Sequence, residues 1–206
     1  MSESAATAGR RSDSLLVRGA EPADHEGIAG VVLGAYARYA GQLVPEAFSR
    51  YLDEALDLGI HTSYGRLLVA GTQERVLGFA VFYPDASILG SGFPSGWAGV
   101  RVLAVYPGAD GPAVARALLS ACEHLAAKAG APVLAIRTAS FMTDAIDGYE
   151  RLGYRRAPEY DVAEPVRSIA QLRYVAQMYL TLARSMRDSL CAPSAPSVPA
   201  LPTRNV

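Results

Sequence analysis

Residues 102–119 read VLAVYPGADGPAVARALL and join a predicted strand to a predicted helix. The strand is the apolar run from Trp97 to Tyr106, which is rich in β-branched and aromatic residues and ends at Pro107-Gly108. The helix is the Ala- and Leu-rich stretch from Pro112 to Ala129, with a proline in its first turn and Gly130 just past its end. We therefore expect a buried central strand, a tight loop and a helix.

The sequence on either side predicts further strands and helices. Short apolar runs bounded by turn residues predict strands, and apolar residues repeated at intervals of three and four predict helices. The expected order is strand, two helices, three strands, helix, strand, helix and two strands, which is a mixed α/β single domain. The other strands are expected over residues 15–18, 66–70, 75–83, 133–138, 154–162 and 173–182, and the other helices over residues 21–39, 45–58 and 143–152.

Composition limits the classes of protein to be considered. The chain has 206 residues, of which 50% are hydrophobic, enough for one domain with a substantial core. Its 19 basic and 20 acidic residues give a formal net charge of −1, so no general attraction to nucleic acid or anionic lipid is expected. No apolar run has the length of a signal peptide or a membrane span, so we expect a cytoplasmic protein. We predict a disordered tail over residues 1–13, a domain over residues 14–186 and a disordered proline-rich tail over residues 187–206.

The cysteines and histidines predict neither a disulfide nor a metal site. Cys122 lies in a predicted helix and Cys191 at the start of the proline-rich tail, so we interpret Cys122 as a core residue. The three histidines share no short ligand spacing, either with one another or with the cysteines. They are His25, His61 and His124.

A second motif begins in the predicted helix of residues 143–152 and continues past its end. It has the form A-x-x-x-Y-x-x-x-G-F/Y and consists of Ala145, Tyr149, Gly153 and Tyr154. In the first segment, residues 103–107 have the form L-x-V-x-P, and a loop of small residues then opens the helix. With both motifs on these elements, the chain resembles the GNAT (GCN5-related N-acetyltransferase) family over roughly residues 15–182. Residues 149–161, YERLGYRRAPEYD, are similar to one branch of its bacterial members.

The resemblance implies the GNAT fold, a central mixed sheet flanked by helices. It also implies transfer of an acyl group, most simply acetyl, from acetyl-CoA or another acyl-CoA to an amine, without a metal. Tyr149 would be the general acid that protonates the departing thiolate. The central strand would hold the pantetheine arm and polarise the thioester carbonyl, and the loop and helix start would hold the diphosphate. The implied cofactor-binding residues are Leu103, Ala104, Val105, Asp110, Gly111, Pro112, Ala113, Val114, Ala115 and Met142.

The diphosphate loop departs from the family pattern. Asp110 stands where the family has Arg or Gln. A carboxylate about 4 Å from a phosphate oxygen costs on the order of 1 kcal/mol in water-like surroundings and about 4 kcal/mol at an effective dielectric constant of 20. Pro112 lacks an N–H group, Ala113 replaces a glycine, and Met142 replaces an Asn of many members, while Asp110 can itself cap the helix. We therefore predict weak binding of free acyl-CoA, with the donor held mainly by its pantetheine arm or carried on an acyl carrier protein.

The general base and the acceptor stay open at this point. Asp85, Glu46, Glu54 and a water molecule are the candidates for the base. The acceptor is expected to be a small-molecule or protein amine, bound by the first helices and residues 87–96. The alternative function is a GNAT-fold binding or regulatory protein without catalysis. Whether the protein forms a homodimer is also left open.

Overall fold

The computed structural model of the chain describes residues 14–88, 92–164 and 169–177. Its strands within these residues are β1 (Leu16–Gly19), β2 (Arg66–Gly71), β3 (Val76–Tyr83), β4 (Ala98–Val105), β5 (Val133–Ala139), β6 (Arg155–Arg156), β7 (Val162–Glu164) and β8 (Ile169–Gln177). Its α-helices there are α1 (His25–Ala37), α2 (Pro45–Leu56), α3 (Leu58–Tyr64), α4 (Gly111–Lys128) and α5 (Thr143–Arg151). In this part of the chain, no helix combines the length and the apolar character that a membrane span requires.

The strands form one sheet in the order β1-β2-β3-β4-β5-β8-β6, and β7 pairs with β8. β4 and β5 are parallel, whereas the other pairs among the described strands are antiparallel. Successive side chains of a strand point to opposite faces, and both faces of β3 are covered. Phe79 shares a buried cluster with Ile28 and Val32 of α1, and Phe82 shares another with Leu118 of α4. The expected mixed α/β fold, a central mixed sheet flanked by helices, is confirmed.

The parallel strands β4 and β5 separate part-way along their length. Their last backbone pair joins Val100 to Ile136, although both strands continue beyond it. On its other edge β4 carries a β-bulge opposite β3, where Arg101 and Val102 occupy the register space of one residue. After the bulge, Val102 packs on the face covered by α1, whereas Val100 packs on the face covered by α4. The bulge therefore lies where β4 leaves β5 and re-aims its side chains.

Gly78 of β3 allows α4 to pack close to the sheet. A Cβ atom added to Gly78 would lie 2.4 Å from Cγ1 of Val114 and 3.0 Å from Cδ1 of Leu118. A side chain at this position would push the first turns of α4 outward, because protein interiors are close-packed. The small residue thus fixes the start of α4 beside the end of β4.

Two predicted elements are wrong in detail. The second helix ends at Leu56 rather than at residue 58, and the unpredicted helix α3 follows it after Asp57. The single strand expected over residues 154–162 is broken into β6, a 3-10 turn over Pro158–Tyr160, and β7. Proline has no N–H group to donate to a ladder, which accounts for the break.

The last strand begins earlier than expected. It covers Ile169–Gln177 instead of residues 173–182, and residues 178–182 lie outside the described residues. Residues 1–13, residues 187–206 and Cys191 also lie outside them, so the two disordered tails stay predictions. Cys122 of α4 is completely buried, which confirms its interpretation as a core residue.

Candidate active site

A small cavity lies where β4 and β5 separate. It encloses about 30 Å³, enough for a water molecule but not for a substrate of ordinary size. Helices α1, α2 and α3 cover it on one side, and the separated strands line the other. Its polar lining consists of Tyr36 of α1, Tyr51 and Glu54 of α2, His61 of α3, Arg101 of β4, and Arg137 and Thr138 of β5. These polar groups meet at the point where the main-chain pairing of the two strands has ended.

His61 lines this cavity and carries one buried ring nitrogen without a hydrogen-bond partner in the part of the chain that the structure describes. The side chain is only 2% exposed, and its Nδ1 lies 2.7 Å from the Oη of Tyr83. Its Nε2 is the one buried side-chain nitrogen or oxygen of the described residues that has no hydrogen-bond partner. The carbonyl groups of Glu54 and Ala55 lie close enough to affect the ring, but neither forms a hydrogen bond of normal geometry with Nε2. A buried polar atom without a partner is costly, so this nitrogen is available to a ligand or a water molecule.

The His61 imidazole is held in its neutral form. Burial lowers the pKa of His61, and the positive charge of Arg101 lowers it further. Helix α3 is anchored at its start, where the Asp57 carboxylate accepts a hydrogen bond of 3.0 Å from the N–H of Ile60. A neutral imidazole can accept a proton at Nε2 when its Nδ1–H donates to the Tyr83 oxygen.

Aromatic side chains form the wall between the cavity and α5. The Tyr51 ring packs edge-on against Tyr36 at 5.6 Å and against Phe141 at 6.2 Å between centroids. Its hydroxyl makes a weak contact of 3.9 Å with the sulfur of Met142. Burial raises the pKa of Tyr51 to about 12, although Arg137 and Arg101 oppose the shift. The Tyr51 hydroxyl therefore stays protonated at neutral pH.

Tyr149 of α5 lies behind this wall. It is 6% exposed and belongs to the core cluster on the α4 side of the sheet, next to the Tyr154 ring at 6.2 Å. Burial raises the pKa of Tyr149, and the neighbouring Tyr51 and Tyr39 raise it further. Tyr149 is not among the residues that line the cavity, but Tyr36 and Tyr51, which do line it, lie within electrostatic reach of its hydroxyl.

The N-terminus of α4 is capped by its own chain. The Asp110 carboxylate accepts a hydrogen bond of 3.1 Å from the N–H of Ala113, and the Asp110 carbonyl accepts one of 3.0 Å from the N–H of Val114. Pro112 has no N–H to offer. Of the first four helical residues, this leaves the N–H of Gly111 as the one without a described partner.

A sequence model of the acetyltransferase (GNAT) family matches residues 35–154, which is more than half of the chain. The chain belongs to the GNAT family of acetyltransferases. The matched range contains α2 to α5, including both β4 and β5 and the polar lining of the cavity. No curated protein matches the sequence at a significant level.

Solved structures of GNAT proteins share the fold at low sequence identity. A protein from Desulfovibrio desulfuricans that is assigned to the GNAT acetyltransferases superposes with a TM-score of 0.61 at 19% identity, over 80% of this chain and 99% of the other. The PaiA N-acetyltransferase of Thermoplasma acidophilum, in complex with coenzyme A, gives 0.60 at 15% identity over 77% and 98%. YncA of Salmonella typhimurium, assigned as an acetyltransferase and solved with acetyl-CoA, gives 0.50 at 18% identity over 80% and 94%.

The residues of this GNAT chain fit the pantetheine part of the co-substrate better than its diphosphate. Beyond Val100, β4 makes no described backbone pair with β5, so the Leu103–Val105 edge is open to an extended arm. At the α4 N-terminus, by contrast, Asp110 already occupies an N–H group and adds a negative charge. A diphosphate would meet fewer donors there than an uncapped helix provides.

Met142, predicted as a cofactor-binding residue, lies in the wall at the start of α5. It is 5% exposed, and its sulfur is 3.6 Å from the Thr138 hydroxyl as well as near Tyr51.

Among the candidates for the general base, the structure brings Glu54 to the cavity but not Glu46. The roles of Glu54, Met142 and the other predicted site residues stay predictions.

Asp85 is placed elsewhere and organises a loop. Its carboxylate accepts hydrogen bonds from the N–H and the hydroxyl of Ser87, and from the hydroxyl of Ser95 at 3.0 Å. These bonds lower the pKa of Asp85, which favours the charged form that holds the loop together. Asp85 does not line the cavity, so the loop role is the one that its geometry supports.

Sequence reasoning missed His61, Arg101 and Arg137 as site residues. No motif or spacing marks His61, because α3 itself was not predicted. The arginines did carry a signal. Each is a charged residue inside an otherwise apolar strand, Arg101 in GVRVLAV and Arg137 in VLAIRTA. A charge in a buried strand is expected to serve a site or a paired partner.

Proposed function

We propose that this GNAT protein is an N-acyltransferase, most simply an N-acetyltransferase, which transfers an acyl group from a thioester of coenzyme A to an amine. Family membership and the fold shared with structures solved with coenzyme A and acetyl-CoA support the reaction class. The observation that carries the proposal is the separation of β4 from β5 after Val100 and Ile136, beside a polar cavity and the buried Tyr149.

The protein would orient the acceptor amine and supply a group that accepts its proton. The thioester supplies an activated carbonyl carbon and a thiol leaving group. Because an ammonium group is not a nucleophile, the amine has to lose a proton before or during attack. His61 is suited to accept that proton, since its imidazole is neutral and its Nε2 has no described partner. Glu54, on the exposed rim, would attract the ammonium form of the acceptor.

Tyr149 would hold a proton near the leaving sulfur. The raised pKa of its hydroxyl keeps that proton in place at neutral pH. A protonated phenol can donate a hydrogen bond to a developing thiolate, whose conjugate acid has a pKa near 8.5 by analogy with cysteine. Main-chain N–H groups of the open edge, at Leu103 and Val105, would stabilise the negative charge that develops on the carbonyl oxygen.

A second donor is an acyl group on the phosphopantetheine of a carrier protein. The capped start of α4 favours this alternative, because such a donor presents the pantetheine arm without the adenosine diphosphate portion of coenzyme A. The open edge of β4 would serve either donor equally.

Both donors can be compared with the purified full chain. Acetyl-CoA, or an acetylated acyl carrier protein, would be incubated with a panel of primary amines, and free thiol and acetylated product would be followed with time. We expect thiol release that depends on the amine, with acetyl-CoA saturating only weakly. Saturation by the carrier protein at much lower concentration would select the second donor. Absence of transfer from both donors to every amine would contradict the proposed reaction and favour a binding or regulatory protein.

A further inference from the structure

Arg101 and Arg137 occupy equivalent positions on the two separated strands. Each is the first residue beyond the last backbone pair, Val100 with Ile136. Equivalent residues on adjacent parallel strands point to the same face of a sheet. Both side chains are half-buried and line the same cavity, opposite α2 and α3. Two guanidinium groups therefore stand on either side of the opening between the strands.

The two arginines place two positive charges at the inner part of the cavity. Burial raises the pKa values of Tyr51 and Tyr83, and both arginines oppose that rise, so both charges act on the same small volume. Glu54 is the one carboxylate in its described lining, and it lies on the exposed rim. In the described part of the chain, Arg101 forms no ion pair and no side-chain hydrogen bond. Two like charges held near each other in a partly buried site favour an anionic ligand.

The ligand chemistry follows from the shape of the groups. A guanidinium presents a planar fork of N–H donors that matches the two oxygens of a carboxylate. The cavity is small in this state, at about 30 Å³, so only a compact anionic group can lie between the strands. His61 lines the same cavity, and its Nε2 has no hydrogen-bond partner among the described residues. An acceptor with an amino group next to a carboxylate would satisfy all three observations.

We propose that the amine acceptor is a free α-amino acid or a close analogue, with its carboxylate bound by Arg101 and Arg137 and its amino group directed toward His61 and Glu54. This inference rests on the acyltransferase function proposed above. It excludes amines without a nearby carboxylate, and also the N-terminal amine of a protein, whose adjacent carboxyl group is part of a peptide bond.

Matched acceptor pairs test the inference. Glycine, alanine and methionine would each be compared with the corresponding amide, which keeps the amino group and the side chain and removes the negative charge. Transfer would be measured as kcat/KM for the free-amine form, and binding without donor would be measured by calorimetry. We expect each acid to exceed its amide by about tenfold or more in both measurements, as a charge-assisted hydrogen bond to a guanidinium would provide.

Variants connect the preference to the arginines. The variants would be assayed at about pH 8, where an imidazole is neutral even at its ordinary pKa. In Arg101→Gln, we expect the acids to lose about tenfold while the amides change little, and Arg101→Lys should recover part of the loss because it keeps the charge. Arg50→Gln provides a control, because Arg50 is exposed on α2 and does not line the cavity. A structural role alone for Arg101 would lower acids and amides together, and that result would overturn the inference.

The outcomes separate this inference from the proposed reaction. Equal or better use of the amides by the unmodified protein would overturn the inference and leave the acyltransferase function standing. If no amine were acetylated, the donor-free binding measurement would decide. Tighter binding of acids than of amides, lost in Arg101→Gln, would support the site even though the reaction had failed. No difference in binding would overturn the site as well.

Discussion

The imidazole of His61 and the phenol of Tyr83 meet at 2.7 Å between Nδ1 and Oη, although 22 residues separate them in the chain. His61 belongs to α3 and Tyr83 ends β3, so the contact depends on how α3 packs against the sheet. This contact occupies Nδ1, while Nε2 has no hydrogen-bond partner among the described residues. The pair thus fixes the orientation of the proposed proton acceptor.

The pH dependence of transfer should report the ionisation of His61. The pKa of His61 is lowered from 6.5, so the imidazole should remain neutral down to a pH below that value. We therefore expect kcat/KM for the free-amine form to stay constant down to the same pH. His61→Gln should reduce kcat/KM about a hundredfold and remove the acid limb. Rates from about pH 5 to about pH 9 would check this. An unchanged acid limb in the His61→Gln variant would assign the ionisation to another group.

Tyr83→Phe keeps the aromatic ring but removes the hydroxyl that contacts His61. It should reduce kcat/KM less than His61→Gln does.

The same residue should make folding stability depend on pH. In the unfolded chain His61 titrates near its ordinary pKa of 6.5, whereas in the folded protein its pKa is lower. Between these two values the unfolded state binds a proton that the folded state does not, so the free energy of unfolding falls as the pH decreases through this window. Above it, His61 contributes no pH dependence. Denaturant titrations at about pH 5.5 and about pH 7.5 should show a smaller difference in His61→Gln, and equal differences would contradict burial of a neutral imidazole.

Replacing Tyr149 by Phe should separate catalysis from packing. The substitution removes the proposed proton donor and keeps the buried ring, so we expect kcat to fall about a hundredfold with little change in KM for the acceptor. Steady-state kinetics with a saturating donor would measure both. An unchanged kcat, in an otherwise active protein, would remove Tyr149 from the mechanism.

Tyr154→Phe is the matched control for that experiment. The Tyr154 hydroxyl is also buried and donates to Glu123 at 3.0 Å, and its ring lies beside that of Tyr149. Loss of this hydrogen bond should lower the free energy of unfolding by about 1 kcal/mol and leave kcat unchanged. Equal losses of kcat in both variants would show that the aromatic packing, not the Tyr149 hydroxyl, supports turnover.

Substitutions at Asp110 should separate helix capping from donor binding. Asn can accept the hydrogen bond from the Ala113 N–H without the negative charge, so Asp110→Asn should keep the stability and tighten acetyl-CoA about tenfold. Asp110→Ala loses the cap and should lower the free energy of unfolding by about 1 kcal/mol. Calorimetry and denaturant titration would measure the two effects. Equal acetyl-CoA affinity in Asp110→Asn and the unmodified protein would show that the carboxylate does not face the diphosphate.

The elements that sequence predicted well are those with local stop signals. Helix α4 was expected over residues 112–129 and covers Gly111–Lys128, and the glycine after it, Gly130, has φ of 72°. Helix α5 ends just before Gly153, which has φ of 91°. A left-handed backbone favours glycine, so the sequence marks these ends directly. The Asp110 cap was predicted for the same reason, because capping depends on residues three positions apart.

The polar cavity could not be predicted in this way, since long-range packing creates it. Arg101 lies at a bulge whose position depends on the register between β3 and β4. His61 reaches the site because α3, a helix of seven residues with a glycine as its second residue, packs against the sheet. Short helices of this kind have weak propensity and depend on tertiary contacts. The motifs thus led to the residues that stay predicted to bind the donor, while the residues proposed to bind the acceptor required the structure.

Helix α4 begins with a counter-anion of its own. In a protein whose equivalent helix is not capped by its own side chain, the N–H groups of the first turn gain a partner only when a phosphate binds. In this protein the Asp110 carboxylate already accepts a hydrogen bond from the Ala113 N–H. The free and loaded forms of this protein should therefore be nearly alike at this corner of the sheet. Departure of the spent thiol would not leave the helix with a bare positive end, so product release should proceed without refolding of that turn.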